Sequence, residues 1–396
     1  MRVAFFDFVT HFGGSSRTTV DLAGKLRSMV DIAVVDPYGC CEPYADAVRR
    51  LGVDYRVLCS QARGLHVGGQ GRPLLRLWRV AASLPELLAV RRRAADVMEE
   101  LAPSLIFTSS FKAAAVIGMN RRIRHIPLVI YLQGWYTPDM MPWYARRLCR
   151  RRCQAVIAVS RATRAAAICS GVEPRKLHVL HNALDVDELV ALAARPLEAP
   201  LPQDHRPIRL LCPGAIIRTK GQHTAVGAMR HILDAGHDAV LWIVGDYSPY
   251  GPNRTYLADT QALAQKLGVA DRVAWLGLRH DLPQVMRVAT AVVIPTHTEG
   301  HPRVLLEAMA LAKPIAATPV GGIMDMIAPN LTGLFFDPDD AAGLADCVDR
   351  FARDADGARR MGLTAQDYIR RSFTPRQQID HAMDILRRVA QEPACR

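Results

Sequence analysis

The sequence has no hydrophobic run long enough to cross a membrane. Residues 113–119 are typical of its longest apolar stretches, well short of the roughly 18 residues that a spanning helix needs. The first nine residues are apolar, but they are too few for a signal peptide and Asp7 interrupts them. They predict a buried strand instead. We therefore expect a cytoplasmic protein.

Metal-binding and disulfide patterns are also missing. The chain has nine cysteines, an odd and scattered set whose only close pairs are Cys40/Cys41 and Cys149/Cys153. None has the spacing of a zinc site, and no Asp-x-Asp motif stands at the end of a predicted strand. We expect reduced thiols, no metal and no bound cofactor.

Positive charge is concentrated in the first half of the chain. Residues 1–200 contain 28 Lys and Arg against 17 Asp and Glu, whereas residues 201–396 contain 22 against 21. Residues 112–152 contain nine basic side chains and a single acidic one. Such a patch could bind nucleic acid, anionic lipid or an anionic acceptor. A solvated helix face is the alternative.

The length and the pattern predict two α/β domains. At 396 residues the chain suits two domains of nearly two hundred residues each. Apolar strand-like runs alternate with segments of helical length, which predicts doubly wound parallel sheets. The runs are 3–9, 31–35, 105–108, 128–132, 155–159, 177–180, 208–212, 239–244, 272–276, 291–295, 314–318 and 332–336.

A proline-rich segment interrupts this alternation. Residues 195–207 contain four prolines, which neither a helix nor a central strand accommodates. We predict four parts: a first Rossmann-like domain, a linker, a second Rossmann-like domain and a C-terminal helix that could pack back on the first domain. These are residues 1–195, 196–207, 208–372 and 373–396.

The strongest motif follows the predicted strand 291–295. Glu299 is expected in the loop after it, and Glu307 nearly two turns into a helix that has Pro302 in its first turn. Free backbone N–H groups at that helix start would suit a diphosphate, and the two carboxylates could bind sugar hydroxyls. Alternatively, Glu299 caps the helix and Glu307 is an exposed helix residue.

The surroundings of this motif resemble the retaining GT-B glycosyltransferases of family 4. The resemblance runs in order from about Gly13 to Asp337. It rests on the glycine pair 13–14, the segments 155–160, 181–185, 213–221, 243–246 and 271–277, and the stretch 298–322 that contains the Glu-x7-Glu spacing.

This resemblance implies a GT-B fold, in which two Rossmann-like domains face each other across a cleft. The acceptor-binding domain would be residues 1–195, and the nucleotide-sugar-binding domain residues 208–372. It also implies a hexosyltransferase that moves a sugar from a nucleotide-diphosphate sugar to an acceptor with retention of configuration. Cell-surface polysaccharide or glycolipid synthesis would be its setting. The nucleotide sugar would be a co-substrate, and neither a metal nor another cofactor is implied.

The resemblance also assigns roles to individual residues. Lys220 would stabilise the leaving diphosphate, and Glu299 would orient the transferred sugar. Arg218 is not part of the family pattern, but it could take the place of an arginine that many relatives have at position 215 and help Lys220. Glu307 would bind the ribose hydroxyls. The remaining donor-binding residues would be Gly13, Gly14, Gly300, His301, Val304 and Leu305.

Some positions depart from the family pattern. Ala215 stands where many relatives have an arginine, and Gln133 where a histidine near the transferred sugar is frequent. Glutamine can bind a sugar hydroxyl but cannot take a proton near neutral pH. Ala183 replaces a usual glycine, and Asp325 a frequent glutamate. The departures put the acceptor chemistry and the rate in question.

The acceptor is expected on the first domain. Gln133 and Trp135 are the candidate contacts, and residues 134–147 place four aromatics and two methionines before the arginines of 146–152. Apolar anchors beside basic residues favour peripheral attachment to an anionic membrane, near a lipid-linked or anionic saccharide acceptor. The alternative has Trp135 and Trp143 packed inward with the arginines in solvent.

Three other functions fit parts of the sequence. A GT-B nucleotide-sugar epimerase would share the donor site but need no acceptor, and a degenerate relative would bind membranes without catalysis. A dinucleotide-dependent oxidoreductase fits least, since the three-glycine fingerprint is incomplete. No nucleic-acid-binding module is recognisable. The sugar, the base, the acceptor and the oligomeric state are not predicted.

Overall fold

The computed structural model describes residues 1–59, 73–202, 206–247 and 253–391, with the backbone alone for 73–84. The chain divides into two compact units, residues 1–182 with 376–396, and residues 183–375. The first segment of the first unit thus ends at Asn182, before the proline-rich segment of the predicted linker. Residues 203–205 of that linker and 392–396 of the predicted C-terminal helix lie outside the described residues.

The first unit contains a parallel sheet of seven strands in the order β3-β2-β1-β4-β5-β6-β7. The strands are β1 Arg2–Phe6, β2 Asp31–Asp36, β3 Asp54–Val57, β4 Leu105–Thr108, β5 Leu128–Leu132, β6 Ala155–Ala158 and β7 Leu177–Val179. The helices that alternate with them are α1 Gly14–Leu26, α2 Glu42–Arg50, α3 Pro73–Leu101, α4 Phe111–Gly118, α5 Trp143–Arg151 and α6 Arg161–Cys169.

The second unit contains a parallel sheet of six strands in the order β10-β9-β8-β11-β12-β13. The strands are β8 Ile208–Pro213, β9 Ala239–Val244, β10 Val273–Gly277, β11 Ala291–Ile294, β12 Ile315–Ala317 and β13 Leu334–Phe335. The helices are α7 Val186–Ala193, α8 Gln222–Asp234, α9 Tyr256–Lys266, α10 Leu282–Val288, α11 Arg303–Ala310, α12 Ala341–Arg353 and α13 Ala355–Ser372.

The sheet of the first unit is buried on both faces. Successive side chains of a strand point to opposite faces. Accordingly, Val3 and Phe5 belong to one apolar cluster, and Ala4 and Phe6 to another. A last helix, α14 (Pro375–Gln391), contributes to the cluster of Val3 and Phe5. Two-sided burial explains why an inner strand such as β1 is hydrophobic at consecutive positions.

The architecture confirms the predicted α/β class with two doubly wound parallel sheets. The sequence pattern did not predict β3, because Asp54 and Arg56 interrupt any apolar run there. β3 lies at the edge of its sheet and is only partly buried, so it needs no such run. In the part of the chain that the structure describes, no helix is both long and apolar enough to cross a membrane.

Candidate functional site

The loops that carry Lys220 and Glu299 follow neighbouring strands of the second sheet. β8 and β11 lie side by side, and the strand order reverses between them. In doubly wound sheets, ligands bind at the carboxyl ends of the strands at such a switch point. Topology therefore brings together two side chains that are 79 residues apart in the sequence.

Backbone contacts hold these two loops against each other. The carbonyl of Thr219 accepts hydrogen bonds of 2.8 Å from the hydroxyl of Thr296 and from the amide of His297. Gly221 has a φ of +70°, and a Cβ there would lie 1.8 Å from the carbonyl oxygen of Pro295. Only glycine fits such a position, so the loop lies directly against the end of β11.

Lys220 and Glu299 form an ion pair at this place. The Lys220 ammonium donates to a carboxylate oxygen of Glu299, and the two side chains are 27% and 11% exposed. The backbone of Glu299 is also fixed, because its carbonyl accepts a hydrogen bond of 3.0 Å from the amide of Gly322. The predicted catalytic lysine and glutamate thus contact each other directly.

The helix α11 begins next to this pair. Pro302 is its N-cap residue, and no side chain caps it among the described residues. The alternative that Glu299 caps the helix is therefore wrong. The amide of Leu305 donates to the carbonyl of Pro302, so Val304 is the last residue whose amide could face an anion. The uncapped start is suited to an anionic ligand.

The other predicted residues of the second unit occupy different environments. Glu307 lies on α11 and is half-buried rather than exposed, and Val304 is half-buried beside it. Gly300 and Leu305 are buried. His301 is buried too, and its ring packs against Phe373 with 5.1 Å between the centroids. Arg218 lies on the turn Arg218–Lys220 with an exposed side chain.

The glycine pair of the first unit stands where α1 begins. Gly13 is the N-cap residue with a φ of −96°, and Gly14 is the first helical residue. Neither conformation requires glycine. A Cβ on Gly14 would have no neighbour within 4 Å, and one on Gly13 would lie 3.2 Å from the ring of His11. Donor contact at this pair stays a prediction.

Gln133 takes part in a chain of hydrogen bonds that no sequence motif predicts. Its amide nitrogen donates to the hydroxyl of Thr19 at 2.9 Å, which donates to the hydroxyl of Ser109 at 3.3 Å. Ser109 in turn donates to the carboxylate of Asp7 at 2.8 Å. These hydrogen bonds fix the side chain of Gln133 at the carboxyl ends of β1, β4 and β5. No motif signals it, since Asp7 and Ser109 are 102 residues apart.

Asp7 is the buried end of this chain. Its side chain also accepts from the amide of Ser109 at 2.9 Å and from the hydroxyl of Thr108 at 2.8 Å. Burial raises the pKa of Asp7 from 3.8 to about 6, although these hydrogen bonds oppose the shift. Asp7 is therefore a carboxyl group whose charge changes just below neutral pH.

The aromatic and basic segment lies on and before α5. This helix buries Ala145, Leu148 and Cys149, but Trp143 is 72% exposed. The alternative that Trp143 packs inward is therefore wrong. Trp135, by contrast, is half-buried.

The arginines of this segment differ in their surroundings. Arg152 is buried, and its guanidinium donates to the carbonyl of Ile126 at 2.8 Å. Arg147, Arg150 and Arg151 are exposed. With Trp143 they stand at positions i, i+4, i+7 and i+8, which share one face of a helix. Trp143 and three arginines thus form one outward face, which we call the α5 face.

Comparison with known proteins decides the family. A model of glycosyl transferases group 1 matches residues 196–368, and a model of glycosyltransferase family 4 matches residues 12–188. The chain belongs to the family 4 glycosyltransferases of the GT-B fold. The resemblance read from the sequence is confirmed, and the protein is a glycosyltransferase.

Individual relatives agree with this assignment. The 2-deoxystreptamine glucosyltransferase of Streptomyces kanamyceticus is 29% identical over 290 residues, which are 69% of this chain and 73% of that protein. The D-inositol 3-phosphate glycosyltransferase of Frankia alni is 36% identical over 120 residues, 29% of this chain and 30% of that protein.

Solved structures share the fold. HepE of Anabaena in complex with UDP-glucose has a TM-score of 0.79 at 20% identity, over 98% of this chain and 100% of that one. A glycosyltransferase of Rickettsia africae has a TM-score of 0.78 at 16% identity, over 99% of both chains.

Proposed function

We propose that this glycosyltransferase takes a sugar from a nucleotide-diphosphate donor and transfers it with retention of configuration. The observation that carries the proposal is the contact of Lys220 with Glu299 beside the uncapped start of α11. An ammonium and a helix N-terminus together suit a diphosphate. The structure of HepE with UDP-glucose supports a donor of this class.

The pair suggests an exchange of partners when the donor binds. Lys220 and Glu299 are paired and satisfy each other's charge. A diphosphate would offer the ammonium a second anion, and part of the Glu299 carboxylate could then bind hydroxyls of the sugar. As the bond to the sugar breaks, negative charge grows on the diphosphate. Lys220 and the α11 amides would stabilise that charge.

Retention is proposed from the resemblance to family 4. A retaining glycosidase uses two carboxylates about 5 Å apart, one of them as the nucleophile. Here Glu307 is the fifth residue of α11, just over one helical turn from its start, and is assigned to the ribose. This leaves Glu299 to orient the sugar. In the mechanism implied for the family, the diphosphate departs from one face of the sugar. On that same face, the diphosphate takes the proton of the acceptor.

Lys220→Ala tests the catalytic assignment. Loss of one charge-stabilising donor typically lowers turnover by about 100- to 1,000-fold, and we expect this at saturating donor. Lys266→Ala is the matched control, because Lys266 is an exposed lysine of α9 in the same unit. Near wild-type turnover of Lys220→Ala would contradict the proposal. Release of nucleotide or an epimerised sugar without any acceptor would favour the epimerase.

The donor can be identified first by thermal unfolding with a panel of UDP-, GDP- and ADP-sugars. A ligand at a hundred times its dissociation constant stabilises the folded protein by about 2.7 kcal/mol. We expect one nucleotide class to raise the unfolding temperature and Lys220→Ala to reduce that increase. No response to any member of the panel would count against a nucleotide-sugar donor.

We also propose that the α5 face attaches the enzyme to an anionic membrane, next to a lipid-linked or anionic saccharide acceptor. Met140, just before the helix, is 51% exposed and adds a second apolar anchor to Trp143. Each arginine near an anionic surface contributes about 1 kcal/mol. Cell-surface polysaccharide or glycolipid synthesis is the setting that this attachment would suit.

Flotation with vesicles tests the attachment. We expect the enzyme to float with phosphatidylglycerol-containing vesicles at low salt, and the variant Met140→Ser/Trp143→Ser to float much less. Leu331→Ser is the control, since Leu331 is 59% exposed in the second unit. If the wild-type enzyme stays with the protein fraction at low salt, the membrane proposal is wrong.

A further inference from the structure

Two histidines and an aspartate from separate parts of the second unit meet at one point. His223 lies in the first turn of α8, His297 in the loop after β11, and Asp339 just before α12. Asp339 is 116 residues from His223 and 42 from His297. No local spacing in the sequence signals the cluster.

The ligand atoms of the three side chains converge. One carboxylate oxygen of Asp339 lies 2.9 Å from the Nε2 of His223 and 2.9 Å from the Nε2 of His297. All the ligand atoms lie within 4.8 Å of one another. The imidazole rings are nearly parallel, at 8° and with 5.8 Å between centroids, so both present the same edge to the carboxylate.

Tyr256 holds the far side of the His223 ring. Its hydroxyl lies 2.7 Å from Nδ1 of His223 and accepts a hydrogen bond of 3.1 Å from the His223 amide. These contacts orient the ring so that Nε2 faces Asp339. Histidine ligands of metals are commonly fixed in this way, by a partner on the second ring nitrogen.

We propose that His223, His297 and Asp339 bind a divalent transition metal, with Zn²⁺ preferred and a water as fourth ligand. Two imidazoles and a carboxylate form a donor set typical of zinc. Tetrahedral bonds of about 2.0–2.1 Å place ligand atoms roughly 3.3 Å apart. The contacts of 2.9 Å would open slightly, and the widest separation, at most 4.8 Å, would close by about 1.5 Å. The Asp339 side chain is 62% exposed and can move.

A metal here would join the two loops of the donor site. His223 is three residues after Lys220, and His297 is two residues before Glu299. The metal would hold these two loops in fixed positions relative to each other. It would take no part in the transfer of the sugar. The inference goes beyond the proposed function, because metal binding needs neither a donor nor an acceptor.

Metal titration of the untagged, full-length protein tests the proposal in the absence of any sugar nucleotide. After treatment with a chelator, we expect one Zn²⁺ per chain to bind in competition with a chromophoric chelator. Co²⁺ should give the visible absorption of a tetrahedral site without the near-ultraviolet band of a cobalt–thiolate bond. That signature separates this site from binding by cysteines.

Three variants locate the metal. We expect His297→Ala and Asp339→Ala each to weaken Zn²⁺ binding at least 100-fold. His237→Ala should bind as the wild type does, although it also removes a histidine that contacts an aspartate, Asp349, at 2.8 Å. Circular dichroism establishes that each variant is folded, and Asp339→Asn replaces Asp339→Ala if the latter is not.

Two results would overturn the proposal. One is a wild-type protein that binds no Zn²⁺ or Co²⁺ at micromolar concentration. The other is binding that survives both His297→Ala and Asp339→Ala in folded protein. Since donor binding is measured separately, failure of the metal site leaves the proposed transferase mechanism untouched, and failure of the mechanism leaves the metal site untouched.

Discussion

Substitution of Gly221 by alanine should separate the two loops that carry Lys220 and Glu299. The added Cβ would lie 1.8 Å from the carbonyl oxygen of Pro295, so the loops must move apart. The hydrogen bonds that Thr219 accepts from Thr296 and His297 would then weaken. The ion pair of Lys220 with Glu299 depends on the same register.

Three energetic costs determine how much Gly221→Ala destabilises the folded protein. A left-handed φ costs an alanine roughly 1–2 kcal/mol, partly offset by about 0.4–1 kcal/mol from a stiffer unfolded chain. Overpacking typically adds about 1–3 kcal/mol, and each weakened hydrogen bond up to about 1 kcal/mol. We expect Gly221→Ala to lower the free energy of unfolding by about 3–5 kcal/mol.

Gly268→Ala is the matched control. Gly268 has a φ of +65°, but a Cβ there would meet nothing within 4 Å. It should cost about 1 kcal/mol, the conformational part alone. Urea unfolding measures both variants, and nucleotide-sugar titration should show weaker donor binding for Gly221→Ala alone. Equal losses of stability in the two variants would contradict the idea that the contact of Gly221 with the Pro295 carbonyl holds the two loops together. Unchanged donor affinity in Gly221→Ala would contradict it as well.

Two further predictions concern buried charges. Because burial raises the folded-state pKa of Asp7 from 3.8 to about 6, the stability that its protonated form contributes is complete below pH 3.8 and is lost as the pH rises through 6. The free energy of unfolding of the wild type, measured with urea and compared with that of Asp7→Asn, should therefore fall by about 3 kcal/mol between pH 3.8 and 6. A difference between the two proteins that does not change with pH would contradict this. Arg279→Met should cost about 3–5 kcal/mol, because it leaves Asp281, whose side chain is 1% exposed, without its ion-pair partner. The exposed pair of Arg230 with Asp234 is the control, and Arg230→Ala should lower the free energy of unfolding far less, because solvent screens that pair. Similar losses in both variants would contradict the role of burial.

The sheets were predictable because their strands are buried on both faces. A continuous apolar run such as 239–244 signals such a strand, and β9 spans those same residues. β3 was missed because an edge strand can carry Asp54 and Arg56. The start of α11 was predicted within one residue, since Pro302 became the N-cap rather than a residue of the first turn.

The placement of Lys220 and Glu299 was predictable only as far as local motifs reach. Glu299 and Lys220 each belong to a recognisable segment, and the order of the strands brings them together. The hydrogen bonds that link Gln133 to Asp7 join residues far apart in the sequence of the first unit. The cluster around Asp339 does the same in the second unit. Single serines, threonines and histidines have no pattern in a sequence, so these contacts required the structure.

The most direct test of the central claim is a crystal structure of the enzyme with a nucleotide-diphosphate sugar. We expect the diphosphate to contact the ammonium of Lys220 and the amides at the start of α11, with Glu299 turned toward the sugar. A diphosphate bound elsewhere, with Lys220 still paired only to Glu299, would contradict it.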